Sequence, residues 1–150
     1  METDSVDPAA IQHAAEMSVL LLDTNIVSIL FKPGHSLHQR CFAIVGGHQW
    51  FISFMTCGEL LFWPRMNQWG KARREELMRH VDLCTTLFPD EATCVAWADI
   101  MSDSRLVGRP MTAADAWVAA AALQWDLALV TADHRDFEHL EDLTLIPVSP

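Results

Sequence analysis

A chain of 150 residues fits one ordinary domain and is too short for two. Half of it is hydrophobic (51%) and a fifth is charged (20%), which excludes a disordered protein and points to a packed globule. Its formal charge of −10, from 20 acids against 10 bases, rules out a broadly basic surface for nucleic acid, so any phosphate substrate must be met by metal ions and a local basic patch.

The N-terminus carries Glu2, Asp4 and Asp7 where a secretory leader needs positive charge. No run reaches the roughly 18 apolar residues of a membrane-spanning helix. Residues 1–16 also hold Glu16 and no Lys or Arg, and are expected to form a flexible acidic extension to a single domain over residues 17–150. Outside the extension, 16 acids face 10 bases, a milder −6. Cys41, Cys57, Cys84 and Cys94 form no CxxC pair and have no partner at zinc spacing. They read as buried thiols of a protein in the reducing cytoplasm.

Taken in order, Met17-Ser-Val-Leu-Leu-Leu-Asp23 reads as a buried strand. Thr24 to Phe31 reads as a helix stopped by Lys32-Pro33-Gly34. Ser36 is placed to cap a helix over 37–45 that ends on Gly46-Gly47. Trp50 to Ser53 is a second strand, and Thr56 opens a helix broken near Pro64. Lys71 to Val81 is a charged amphipathic helix with Leu77, Val81 and Cys84 inward. Thr85 to Phe88 forms a short strand. Asp90 caps a helix with Trp97, Ile100 and Met101 inward, ended by Gly108 and Pro110. Thr112 to Trp125 is an Ala-rich helix, followed by strands over 127–130 and 143–148. This alternation predicts an α/β domain with a mostly parallel sheet of four or five short strands flanked by helices.

In open α/β sheets, ligands bind beyond the carboxyl ends of the strands, where strand order reverses. Asp23 follows the first strand, Asp133 follows Val130-Thr131, and Glu59 lies just past the second. Asp115 stands in the first turn of a helix that must start at the same edge. Each acid also has a local explanation. Thr56-Cys-Gly-Glu59 and Thr112-Ala-Ala-Asp115 have capping-box spacing, Asp23 can cap the helix at Thr24, and Asp133 can make a turn. Together, however, four carboxylates at one end of a sheet repel one another unless a divalent cation sits among them. Oxygen-only donors favour Mg²⁺ or Mn²⁺ over zinc.

Leu21-Leu-Asp23-Thr-Asn25, Thr56-Cys-Gly-Glu59-Leu-Leu, Asp115-Ala-Trp-Val-Ala-Ala and Leu129-Val-Thr131-Ala-Asp133-His-Arg-Asp136-Phe resemble, in order, the acidic motifs of PIN-domain nucleases. The resemblance runs over residues 18–148 and is nearest to VapC-type toxins of bacterial toxin–antitoxin pairs. It implies an Mg²⁺- or Mn²⁺-dependent endoribonuclease with Asp23, Glu59, Asp115 and Asp133 as catalytic, metal-holding acids. Asn25 and Thr131 map onto supporting polar positions. Many toxin relatives carry Asn at the place of Asp133 and an Asp at the place of Asp136, so Asp136 is the alternative fourth acid. The resemblance also implies an RNA substrate and a cognate antitoxin covering the acids. A homodimer is expected too; six Trp, seven Phe and seven Met are generous for this length and fit both a homodimer face and a groove for a partner helix.

Half of the ten bases fall between positions 65 and 79: Arg65, Lys71, Arg73, Arg74 and Arg79. They form either a solvated helix face or a phosphate track, with Arg109 and Arg135 nearer the acids. Trp63, one turn past Glu59, either stacks on a base or packs in the core. His134 is the one histidine beside an acid, and Asp99 with Asp103 reads as a solvated pair. A haloacid-dehalogenase-like phosphatase needs a second Asp two residues after Asp23, where this chain has Asn25. A housekeeping RNA-processing or DNA-structure nuclease and a non-catalytic PIN-like binding module are the remaining alternatives.

Overall fold

The computed structural model describes residues 19–150, so the expected N-terminal extension (1–16) lies outside the described residues. Five strands alternate with helices: β1 (Val19–Leu22), α1 (Thr24–Phe31), α2 (His38–Val45), β2 (Gln49–Ser53), α3 (Phe54–Met66), α4 (Lys71–Val81), β3 (Cys84–Leu87), α5 (Glu91–Leu106), α6 (Ala113–Gln124), β4 (Ala128–Thr131), a 3₁₀ turn (His134–Asp136) and β5 (Leu145–Pro147). All strand pairs are parallel, in the order β3-β2-β1-β4-β5. From β1 the chain builds outward to β2 and β3, then crosses back to lay β4 and β5 on the other side. The order therefore reverses between β1 and β4, which opens a crevice at their carboxyl ends.

The two-residue period of the strands divides the core between the two faces of the sheet. Leu20, Leu22 and Val130 pack with Ile26, Val27, Val45, Leu60 and Leu77 of α1–α4. Leu21 and Leu129 point the other way, onto Ile100 of α5 and Ala116, Ala119 and Ala120 of α6. The small residues of α6 let its backbone lie close to the sheet, and that closeness brings the first turn of α6 to the crevice.

Three local expectations differ from the structure. α3 begins at Phe54, two residues before Thr56, because the Ser53 hydroxyl accepts from the Met55 N–H (3.0 Å) and takes the cap. It also runs through Pro64 to Met66, where the Asn67 side chain donates to the Trp63 carbonyl and closes the last turn. α2 is preceded by Leu37 rather than capped by Ser36, and the Leu37 N–H donates to His35 Nδ1 instead. The cysteines are all free thiols, but only Cys41 is buried; Cys57 and Cys84 are half-buried and Cys94 is exposed. Among the described residues, no helix is long and apolar enough to cross a membrane.

Candidate active site

Asp23 leaves β1 directly into α1 and is its N-cap, one carboxylate oxygen accepting from the Thr24 N–H (2.8 Å). Its other oxygen accepts from the Thr131 hydroxyl (2.8 Å), the last residue of β4. That same hydroxyl accepts from the Asp133 N–H (3.0 Å), so Thr131 ties the two strand-end acids together. Asn25 completes the link. Its amide donates to Asp133 Oδ2 (2.9 Å) while its oxygen accepts from the Ala132 N–H (3.2 Å). The polar positions expected beside the acids are thus the ones that orient them.

The helix start at Ser53 changes the reading of Glu59. It lies in the second turn of α3, free of any capping duty, and accepts from the Thr24 hydroxyl (3.2 Å). Thr24 reaches Thr56 from the same oxygen (3.0 Å), a half-buried contact between α1 and α3. Asp115 does sit where a capping box puts it, its N–H donating to the Thr112 hydroxyl (3.1 Å) at the start of α6.

Asp23, Glu59, Asp115 and Asp133 line one cavity of about 490 Å³, together with Thr24, Asn25, Ser28, Phe62, Trp63, Met66 and Asn67. Among the described residues, no Lys, Arg or His side chain lines it. Asp136 lies on the far side of Asp115, lining a second hollow with Arg109, Arg135 and His139. His134 lines neither.

Among the described residues, no salt bridge compensates the charges in the cavity. Burial pushes the Asp23 carboxyl up to about 6; the Thr131 hydroxyl and Thr24 N–H pull it back, and repulsion from Asp115 and Glu59 adds to the rise. Partial burial raises the Glu59 carboxyl, opposed by the Thr24 hydroxyl and helped by Asp115. Burial likewise raises Asp115, opposed by the Thr112 hydroxyl and helped first by Asp136 and then by Asp133. A mutually repelling set of oxygen donors, with Asp23 buried, Asp115 half-buried and Glu59 and Asp133 exposed, fits a hard divalent cation. No group of three acidic, His or Cys side chains among the described residues is drawn tight enough to grip an ion unaided.

The bases divide. Arg109 donates to the Arg135 carbonyl (2.8 Å) and approaches Glu138 (3.7 Å), with both arginines beside Asp115. Arg73 instead stacks on the Trp69 ring (3.7 Å), and Arg74 donates to the Trp69 carbonyl (3.1 Å). Neither residue of that pair lines the acid cavity or the hollow beside it. Trp63 packs against Trp69 (4.7 Å) and Phe31 (6.1 Å) with Lys32 over its ring (4.6 Å), so it belongs mainly to an aromatic cluster behind the cavity.

The PIN-domain family profile matches residues 20–143, well over half of the chain. The chain belongs to the PIN-domain family. Within it, the chain is 27% identical over 130 residues to Ribonuclease VapC1 of Haemophilus influenzae strain R2866, covering 83% of this chain and 94% of that protein. Its fold superposes on FitAcB from Neisseria gonorrhoeae with a TM-score of 0.72 and 25% identity, covering 85% and 96% of the two chains. A complex of VapBC2 from Rickettsia felis with a promoter DNA fragment gives a TM-score of 0.75 at 15% identity, covering 86% and 98%.

Thr24 and Ser28 join this PIN-domain site without having been given a role in it from the sequence. The only signal for Thr24 was its place beside Asp23. Phe62 and Met66 carried a better one, since positions 59, 62 and 66 share one face of a helix.

Proposed function

We propose that this chain is a divalent-cation-dependent endoribonuclease, the toxin of a type II toxin–antitoxin pair. The observation that carries the proposal is the cavity at the reversal of the sheet, lined by four carboxylates and, among the described residues, no basic side chain, in a PIN-domain chain similar to Ribonuclease VapC1. Asp23 and Asp115 would hold the cation, with Asp133 completing a second, weaker position and Asp136 the alternative to it. A bound Mg²⁺ or Mn²⁺ would supply acidified water and neutralise charge on the phosphate oxygens of RNA. Glu59, held by Thr24, would orient the attacking water or join the ligands. Thr131 and Asn25 fix the direction of Asp23 and Asp133, and so keep their lone pairs on the cavity side.

The partner proposed for this cavity is an antitoxin that inserts a basic side chain among the acids, in keeping with the complexes in which similar folds are found. The exposed Leu106 and Val107 at the end of α5 support a homodimer or partner face.

Incubating a mixed RNA pool with the antitoxin-free protein should give cleavage in Mg²⁺ or Mn²⁺ and none in EDTA. Cutting that survives EDTA would show that the acids do not work through a metal, and no cutting under either ion would remove the nuclease reading in favour of a binding module. Asn25→Ala should lower turnover by about 10- to 100-fold, the usual cost of removing an orienting partner. A circular dichroism melt separates that loss from unfolding, and unchanged turnover would show that Asp133 needs no such support.

A further inference from the structure

The chain between β4 and β5 (residues 132–144) carries Asp133 and Asp136, and its own turns shape it. Asp136, Phe137, Leu140 and Leu143 each donate a backbone N–H to the carbonyl three residues back. Phe137 and Leu143 root it in the core beside Ile100 of α5 and Ala116 of α6. Its outer side is tied to the end of α5 by side chains. The Ser104 hydroxyl, on a residue only 1% exposed, lies 2.8 Å from His139 Nε2. The Ser104 carbonyl accepts the Arg109 N–H (2.8 Å) across a turn at Gly108, whose φ of 74° suits glycine. The Arg109 guanidinium then returns to the segment, donating to the Arg135 carbonyl (2.8 Å) and approaching Glu138 (3.7 Å). These contacts close a clasp beside the hollow that borders Asp115.

We infer that Ser104 and His139 are a positioning pair for the cation site, clasping the 134–139 segment to α5 so that Asp133 and Asp136 stand beside Asp115 before an ion binds. The inference rests on the cation-dependent reading and deepens it with two residues that lie outside the acid cavity. Like charges give the clasp something to oppose. Repulsion from Asp136, then from Asp133, raises the Asp115 carboxyl, so the segment and the first turn of α6 push apart while these acids are ionised. α5 packs on α6 through Ile100, which makes it a common base. One acid is fixed to that base through α6, and the other two through the clasp. Ligands already held in place bind an ion without first ordering a loop, and partners that orient ligands are worth about 10- to 100-fold in metal affinity. The Ser104–His139 bond is the strong member, because Ser104 is shut off from water. The Arg109 contacts are exposed and hold less firmly. With Phe137 fully buried, losing the clasp loosens the acids without detaching the segment.

The test is a Mn²⁺ titration, followed by the electron paramagnetic resonance of the free ion, alongside RNA cleavage as a function of Mg²⁺. The Mn²⁺ binding in question is the part that Asp23→Asn removes. His139→Ala and Ser104→Ala should each weaken it about tenfold and raise the Mg²⁺ needed for half-maximal cleavage by the same factor, while KM for RNA at saturating Mg²⁺ does not change. The double variant should lose no more than either single one, since each breaks the same bond. His139→Gln, whose amide can still meet the Ser104 hydroxyl, should recover most of the affinity. Melting temperatures in EDTA measure the cost to the fold separately. Alanine variants that melt lower yet bind Mn²⁺ like the unmodified protein would reduce the pair to a structural tie and overturn the inference, as would independent, additive losses. If the unmodified protein binds Mn²⁺ at the acids but cuts no RNA, the nuclease reading falls and the Mn²⁺ affinities alone decide the clasp. If it binds no Mn²⁺ there, both fall.

Discussion

Asp23→Asn and Asp115→Asn should each reduce Mg²⁺-dependent RNA cleavage by at least about a thousandfold, roughly 4 kcal/mol of barrier, in protein that still folds. Asn keeps the shape of the side chain and an oxygen to accept from the Thr24 N–H, so the cap on α1 survives in the first variant. What is lost is charge in the cavity. Asp23 is the deepest of the four acids and Asp115 lies between the other three and Asp136, so each variant removes the charge at the centre of a different half of the site. Glu59→Gln should cost less if Glu59 only orients water, since the amide oxygen still accepts from a hydroxyl. Comparing Asp133→Asn with Asp136→Asn decides which is the fourth acid. Asp133 shares the cavity with Asp23 and Glu59, so its replacement should cost more. Activity within tenfold of the unmodified protein for Asp23→Asn would mean that the reaction happens elsewhere.

Much of the fold was legible because strand and helix periods are written in the apolar residues. Thr24–Phe31 and Lys71–Val81 have the bounds read from sequence, one fixed by Asp23 before and Lys32-Pro33 after, the other by a clean amphipathic pattern. The start of α3 was hidden because Ser53 does two tasks at once, ending β2 and capping the helix, while Thr56 offered the more familiar spacing to an acid. That slip also gave Glu59 a local capping explanation beside its expected place among the metal-site acids. Pro64 looked like a break, yet a helix missing one bond is held by its buried packing and by side-chain bonds to its last carbonyls.

The acids of the cavity were legible for a topological reason. Residues at the ends of adjacent parallel strands must meet wherever the order reverses, so Asp23 and Asp133 converge whatever else the chain does. The basic residues had no such constraint. Proximity in sequence put Arg73 and Arg74 on one charged helix, but that helix turns them onto Trp69, and neither lines the acid cavity. Phe62 and Met66 were missed for the opposite reason. α3 is apolar around most of its circumference, so the face that Phe62 and Met66 share with Glu59 did not stand out from the apolar residues that face the core.

In the absence of divalent cations, Asp23→Asn should make the protein more stable at pH 7.5, an unusual outcome for replacing a buried, hydrogen-bonded residue. The reasoning follows the sign of the Asp23 shift. Its carboxyl titrates at about 6 in the folded chain against an ordinary 3.8, so the folded state binds this proton more tightly than the unfolded state. Its contribution to stability is intact below about pH 4 and is lost as pH rises through 6, a loss approaching roughly 3 kcal/mol by neutral pH. Glu59 and Asp115 are shifted the same way and add to the trend. His80 and His139 are shifted down, chiefly by burial, and Asp90 is held low by the Thr93 N–H, so these three lose stability on acidification instead. The difference between the two proteins cancels those background groups. In EDTA the Asn variant should melt several degrees higher at pH 7.5, at about 3 °C per kcal/mol for a chain of this size, and the gap should close by pH 4. Millimolar Mg²⁺ should reverse the order by stabilising only the protein that retains Asp23, because a ligand that binds the folded state raises its stability in proportion to occupancy. An Asn variant that melts lower than the unmodified protein in EDTA at pH 7.5 would show that the carboxylate of Asp23 is stabilised by its hydrogen bonds rather than strained by burial. The acid cavity would then have no electrostatic need of a cation.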